Sequence, residues 1–152
     1  LEPGDLIDHA DLQHMIKTPV CLDESIISVD DTKKMIRLGS GKIINIKVAR
    51  VGGLTIAKQI QALATENGIE CWCGGMLDSG VARAENVAVA TLPGYTLPND
   101  IAASTRYFPR DIIKPEVKLD GTFVDVTDTP GMGYDIDWEA VDDFLIEAGT
   151  VE

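Results

Sequence analysis

Four short apolar runs each end in residues able to do chemistry: Val20-Cys21-Leu22-Asp23, Ile43-Ile44-Asn45-Ile46-Lys47, Glu70-Cys71-Trp72-Cys73-Gly74-Gly75 and Tyr95-Thr96-Leu97-Pro98-Asn99-Asp100. Asp23 offers a hard oxygen of the kind that binds Mg²⁺. The same carboxylate would serve equally well as the N-cap of a following helix. Lys47 is the sharper candidate. Side chains alternate along a strand, so Ile44 and Ile46 share one face while Ile43, Asn45 and Lys47 share the other. If the aliphatic pair packs against helices, Asn45 and Lys47 point inward. Burying an ammonium there is expensive unless it is paired, and lowers its pKa toward useful basicity. The alternative is a lysine whose stem lies on apolar surface while its head reaches water. Arg50 is placed to be an ion-pair partner. Gly74 and Gly75, like Gly52-Gly53, allow a ligand close to the backbone. No G-x-G-x-x-G, no Walker-type G-x-x-x-x-G-K lysine and no G-x-S-x-G elbow is present, which leaves nucleotide binding and serine nucleophile chemistry without support.

The elements that must carry these residues follow from their spacing. The runs end near 23, 47, 73 and 98, a step of 24 to 26 residues that fits one strand, one helix and two short loops. Parallel strands need such crossovers, nearly always right-handed. In a β/α barrel all strands deliver their C-terminal ends to one face, where catalytic groups collect. Asp23, Lys47, Gly74-Gly75 and Asp100 would share that face. The periodicity predicts helices over 5–15, 29–38, 54–67 and 81–91, with Leu6, Ile7, His9-Ala10 and Met15 on or beside the inward stripe of the first. After Phe108-Pro109 the rhythm changes. Segments 117–119 and 122–126 bracket Asp120-Gly121 as a hairpin or paired extended stretches, and 138–148 reads as a terminal helix with Val141, Phe144 and Leu145 inward.

The 152 residues are enough for one sizeable core. A net charge of -12 argues against a nucleic-acid binder, which needs a basic surface, and no apolar run approaches a membrane span. Eleven of the 25 carboxylates lie from Glu116 onward, against one cation, Lys118, which reads as a solvated acidic surface. Three cysteines form no disulfide framework and no zinc pattern, and His9 and His14 are poorly spaced to share a metal. Reduced thiols and the lack of a signal-peptide pattern give a cytoplasmic expectation. The chain begins at Leu1 inside what reads as a loop, and a half-barrel leaves two open sheet edges. A fragment of a longer protein is therefore expected.

The stretches TPVCLDESI (18–26), INIKVARVGGL (44–54), CWCGGMLDSG (71–80), LPNDI (97–101) and PGMG (130–133) together resemble the C-terminal half of an enolase-superfamily enzyme of the muconate-lactonizing type, within the o-succinylbenzoate synthase/N-acylamino acid racemase family. The resemblance implies an α/β fold: the C-terminal half of a TIM-type β/α barrel over 1–108, about four βα units, with 109–152 an extension returning to a capping domain. It implies a Mg²⁺ held by three acidic residues, of which Asp23 matches the third. It assigns Lys47 to one of two lysines facing each other across the substrate, and Gly75, Met76 and Leu77 to the substrate-contacting end of a strand. The other lysine, from a Lys-x-Lys motif, and the first two metal ligands have no counterpart in these residues. The implied activity is Mg²⁺-dependent o-succinylbenzoate synthesis on a small carboxylate substrate, a dehydration on the way to menaquinone, with the 152 residues inactive alone. The alternatives are an N-acylamino acid racemase or dipeptide epimerase, and a non-catalytic half-barrel that self-associates. A homo-oligomer is expected.

Overall fold

A computed structural model describes residues 1–149; the last three residues of the expected extension lie outside the described part. Three parallel strands form the centre in the order β1 (Cys21–Leu22), β2 (Ile43–Ile46), β3 (Glu70–Cys73). Leu22 is level with Ile44, and Ile46 with Cys73. The crossovers are α2 (Val29–Leu38), between β1 and β2, and α4 (Leu54–Glu66), between β2 and β3, preceded by the single turn α3 (Val48–Val51). Helix α1 (Leu6–Met15) leads into the sheet and α5 (Gly80–Val89) follows it.

Local chemistry explains these bounds. Ser28 caps α2 by accepting from the Asp31 amide at 3.1 Å, with Asp30 and Asp31 in the first turn, where the helix dipole favours anions. The helix ends at Gly39, whose φ of +72° suits glycine far better than other residues. Helix α4 buries Ala57, Ile60 and Ala64, three positions on one stripe, against a core that includes Leu22, Met35, Ile44, Ile46 and Cys71.

The expected fourth strand is present only as two isolated parallel bridges, Cys71 with Tyr95 and Gly74 with Asp100. Pro98 has no amide hydrogen, and between the bridges the Asn99 side chain accepts from the Cys73 amide at 2.7 Å in place of a backbone carbonyl. Helix α1 also departs from expectation. It buries Leu6, Ala10 and Gln13, while Ile7 and Met15 face solvent. Gln13 is inside because its amide accepts from the Val20 amide at 2.7 Å and donates to the Thr18 carbonyl at 3.2 Å, clamping the chain around Pro19.

The tail differs most. Asp120 and Phe123 exchange two backbone hydrogen bonds, but no ladder forms over 117–126. The pairing instead joins β4 (Ile113–Lys114) antiparallel to β5 (Asp135–Ile136). Ile113 and Val117 form a second small core with Val87 of α5. The last helix, α6 (Trp138–Asp143), is shorter than 138–148, and Phe144 and Leu145 stand half exposed rather than inward. Asp142, Asp143 and Glu147 put negative charge at the end where the helix dipole disfavours it. No helix among the described residues is long and apolar enough to cross a membrane.

Candidate active site

The strand ends bring Asp23 and Lys47 together. Lys47 Nζ lies 3.1 Å from Asp23 Oδ2 and 3.9 Å from Glu24 Oε1. The pair forms because β1 and β2 are parallel neighbours in a register that carries both chain segments to the same edge. Both side chains are partly exposed, Asp23 at 30% and Lys47 at 20%, so the pair is reachable from solvent. Lys47 is thus a paired ammonium, not an isolated one.

Arg50, on the short helix that follows Lys47, takes the other Asp23 oxygen through Nη1. Its Nε donates to the Ile26 carbonyl at 3.2 Å and its Nη2 to the Asn45 carbonyl at 2.5 Å. Burial draws the Arg50 pKa down from its usual value, with the Cys21 thiol opposing. Arg50 therefore fixes the carboxylate between two strand ends, the ion-pair role its position predicted. Beside it the Trp72 indole donates to Cys21 Sγ at 3.2 Å.

Asn45 lies inside as the alternation predicts, 2% exposed, with its Oδ1 lacking a hydrogen-bond partner. It fills the space beside Gly74, where a Cβ would collide with the Asn45 amide. Gly75 is constrained differently: its amide donates to the Asp100 carbonyl at 2.8 Å, and a Cβ would stand 2.5 Å from that oxygen. The close backbone approach joins the third strand end to the fourth. Met76 and Leu77 follow, 48% and 76% exposed, open to a ligand.

The donor set fits one position of a Mg²⁺ site. Asp23 supplies a partly exposed carboxylate whose oxygens each keep a lone pair beyond the one given to a cation. Among the described residues no group of three His, Cys, Asp or Glu could hold a metal by itself. Asp23 would be one ligand of several, with Arg50 and Lys47 orienting it.

Sequence reasoning missed a polar network behind Gly75–Leu77. Asp78 Oδ2 accepts from the Met76 amide at 2.8 Å and from Asn86 Nδ2 at 3.0 Å. Arg83 and Asp111 are buried beside it, and Asp111 Oδ1 accepts from the Gly80 amide at the start of α5 at 2.6 Å. The available signal was an arginine next to Ala84 on the inward side of a helix whose other buried positions are Gly80, Ala84, Asn86, Val87 and Val89.

Residues 1–141 match the family model described as enolase C-terminal domain-like. The chain is 55% identical over 142 residues to an o-succinylbenzoate synthase of Geobacillus stearothermophilus, covering 93% of this chain and 38% of that protein. It is 46% identical over 133 residues to an N-succinylamino acid racemase of an Amycolatopsis species, covering 88% of this chain and 36% of that protein. A crystal structure of an enolase-superfamily member from Listeria innocua superposes with a TM-score of 0.90 at 40% identity, covering 94% of this chain and 38% of that one. The chain thus spans under two fifths of the length of these relatives. The half-barrel expectation agrees with this match.

Proposed function

From a chain that belongs to the enolase C-terminal domain-like family, we propose that the whole protein removes the proton next to a substrate carboxylate, as a Mg²⁺-dependent o-succinylbenzoate synthase. The observation that carries this reading is the Asp23–Lys47 pair, 3.1 Å apart at neighbouring strand ends. Its support is the 55% identity to a synthase across nearly the whole chain.

A hydrogen next to a carboxylate is very weakly acidic, so the site must stabilise the negative charge that builds on the carboxylate oxygens. Mg²⁺, when bound, would supply Lewis-acid stabilisation of that charge. Asp23 would contribute one oxygen to the ion, held in place by Arg50. The Lys47 ammonium would stand beside the substrate, tethered by Asp23, and oppose the developing charge as a fixed cation. The resemblance assigns the proton-abstracting lysine to a Lys-x-Lys motif, which these 152 residues do not contain. Gly75, Met76 and Leu77 would form the substrate-facing wall. A lysine base working with Mg²⁺ is the pattern of enolase-superfamily sites.

A second reading, N-acylamino acid racemization, is favoured by the 46% identity to an N-succinylamino acid racemase. Lys47 would then act as acid or base on the face opposite the other lysine. Rates on both substrate types, measured side by side in the whole protein with Mg²⁺, separate the readings. Synthase turnover should exceed racemization. Asp23→Asn should lower turnover on either substrate by at least about 100-fold, the upper range for disturbing a metal's surroundings. Turnover on neither substrate, or an active Asp23→Asn variant, would refute the proposal. The 152 residues alone should be inactive, and wild-type rates from them would contradict the assignment of the abstracting lysine.

A further inference from the structure

Arg83, on the first turn of α5, is 2% exposed and the largest fully buried side chain among the described residues. Its Nη1 donates to the Ala102 carbonyl at 2.7 Å and its Nη2 to the Asp78 carbonyl at 2.6 Å. The Tyr107 ring centroid lies 5.6 Å from Cζ. The charge partner is loose: Nε is 3.9 Å from Asp111 Oδ2, and neither atom has a hydrogen-bond partner. A buried ion pair is often no more stabilising than packed apolar residues of like volume. Fold stability therefore gives no reason for an arginine here. What arginine alone provides is a rigid fork whose N–H groups reach two acceptors at once.

Those acceptors lie on two different strand-end loops. Asp78 belongs to the loop after β3, where its Oδ2 also holds the Met76 amide. Ala102 closely follows Asp100, whose carbonyl holds the Gly75 amide at 2.8 Å. Gly75, Asp100, Ala102, Arg83, Asp78 and Met76 thus close a ring of contacts around the exposed tip at Met76 and Leu77. We infer that Arg83 is a positioning residue, locking the Gly75–Asp78 and Asp100–Ala102 loops into one unit and so setting the wall that faces the substrate. The consequence for substrate rests on the function proposed above; the locking itself does not.

Arg83→Lys keeps the charge but replaces the planar fork with a single ammonium, and in the whole protein with Mg²⁺ it separates the possibilities. Losing one charge-assisted contact should raise KM for the carboxylate substrate about tenfold, with kcat per folded molecule held within about threefold. Amide exchange at Gly75 and Met76 should quicken about tenfold, while the α4 amides are unchanged. A merely structural arginine would instead lower Tm and speed exchange throughout, leaving KM alone. An unchanged KM in an active enzyme overturns the inference, as does exchange at Gly75 and Met76 no faster than in the wild type. If Arg83→Lys fails to fold, Arg83→Met is held to the same two readouts. If the wild type turns over neither substrate, the proposed activity fails and the exchange pattern alone decides the role of Arg83.

Discussion

Replacing Gly74 by alanine puts a methyl group where the Asn45 amide already stands. The new carbon would lie 2.7 Å from Asn45 Nδ2 and 2.8 Å from Cγ, and closer still to Oδ1. Asn45 is 2% exposed on the central strand, with neighbours on both sides, so its side chain has no open space to enter. Overfilling such a site costs about 1–3 kcal/mol. A smaller effect opposes it, because Gly74 does not have a positive φ, and glycine to alanine at a compatible backbone stabilises by about 0.4–1 kcal/mol. The clash outweighs that gain, and the net expectation is a loss of about 1–2 kcal/mol. Asn45→Ala removes the obstacle. In that background Gly74→Ala should become neutral or slightly stabilising, a coupling of about 2 kcal/mol and within the range for touching residues. Urea unfolding of the wild type, both single variants and the double variant measures this directly, provided the denaturant slope stays constant. If Gly74→Ala costs the same in both backgrounds to within about 0.5 kcal/mol, the collision with Asn45 is not the reason for glycine at this strand end.

Two further expectations follow from titration and burial. Lys114, then Arg110, hold the Asp137 carboxyl down from 3.8 to about 2, so its contribution to docking the tail is full above the unfolded value and lost as pH falls through about 2. Amide exchange of the β4–β5 pair between pH 4 and 2 should reveal that loss, and Asp137→Asn should abolish the dependence. Burial pushes the Cys71 and Cys73 thiols from 9.0 up to about 12, so their contribution is complete below pH 9 and declines as pH rises toward 12. In the native protein an aromatic disulfide reagent should therefore label Cys21 alone of the three cysteines, and native labelling of Cys71 or Cys73 would contradict their burial.

The parts of the fold that were readable are those written in neighbouring residues. Ser28 with Asp31, Gly39, and the Ala57, Ile60, Ala64 stripe state a helix start, a helix end and a buried face within a few positions. The 24 to 26 residue step states parallel strands. Reading failed where a side chain substitutes for backbone. Gln13 looks polar and outward until it is seen clamping Thr18 and Val20, and Asn99 interrupts a strand by supplying the acceptor for Cys73. The tail failed for another reason. Asp120-Gly121 makes a genuine turn, but the partner of Ile113 is Ile136, across an intervening stretch that carries no local sign of the pairing.

The same distinction divides the candidate site. Asp23 and Lys47 could be placed together because strand period and crossover length together dictate which residues end at a common edge. Arg83 could not, since its partners Asp78, Ala102 and Asp111 lie on three separate stretches. Helical periodicity marks position 83 as inward and goes no further. An arginine at an inward position is nevertheless a conflict between local pattern and burial, and such conflicts concentrate where function rather than stability selects the residue. That contrast singles out Arg83 over Asn45, although both are buried and polar. Asn45 is explained by the space beside Gly74, whereas Arg83 holds one carbonyl on each of two loops, beyond the Gly75–Asp100 contact that already joins their strand ends.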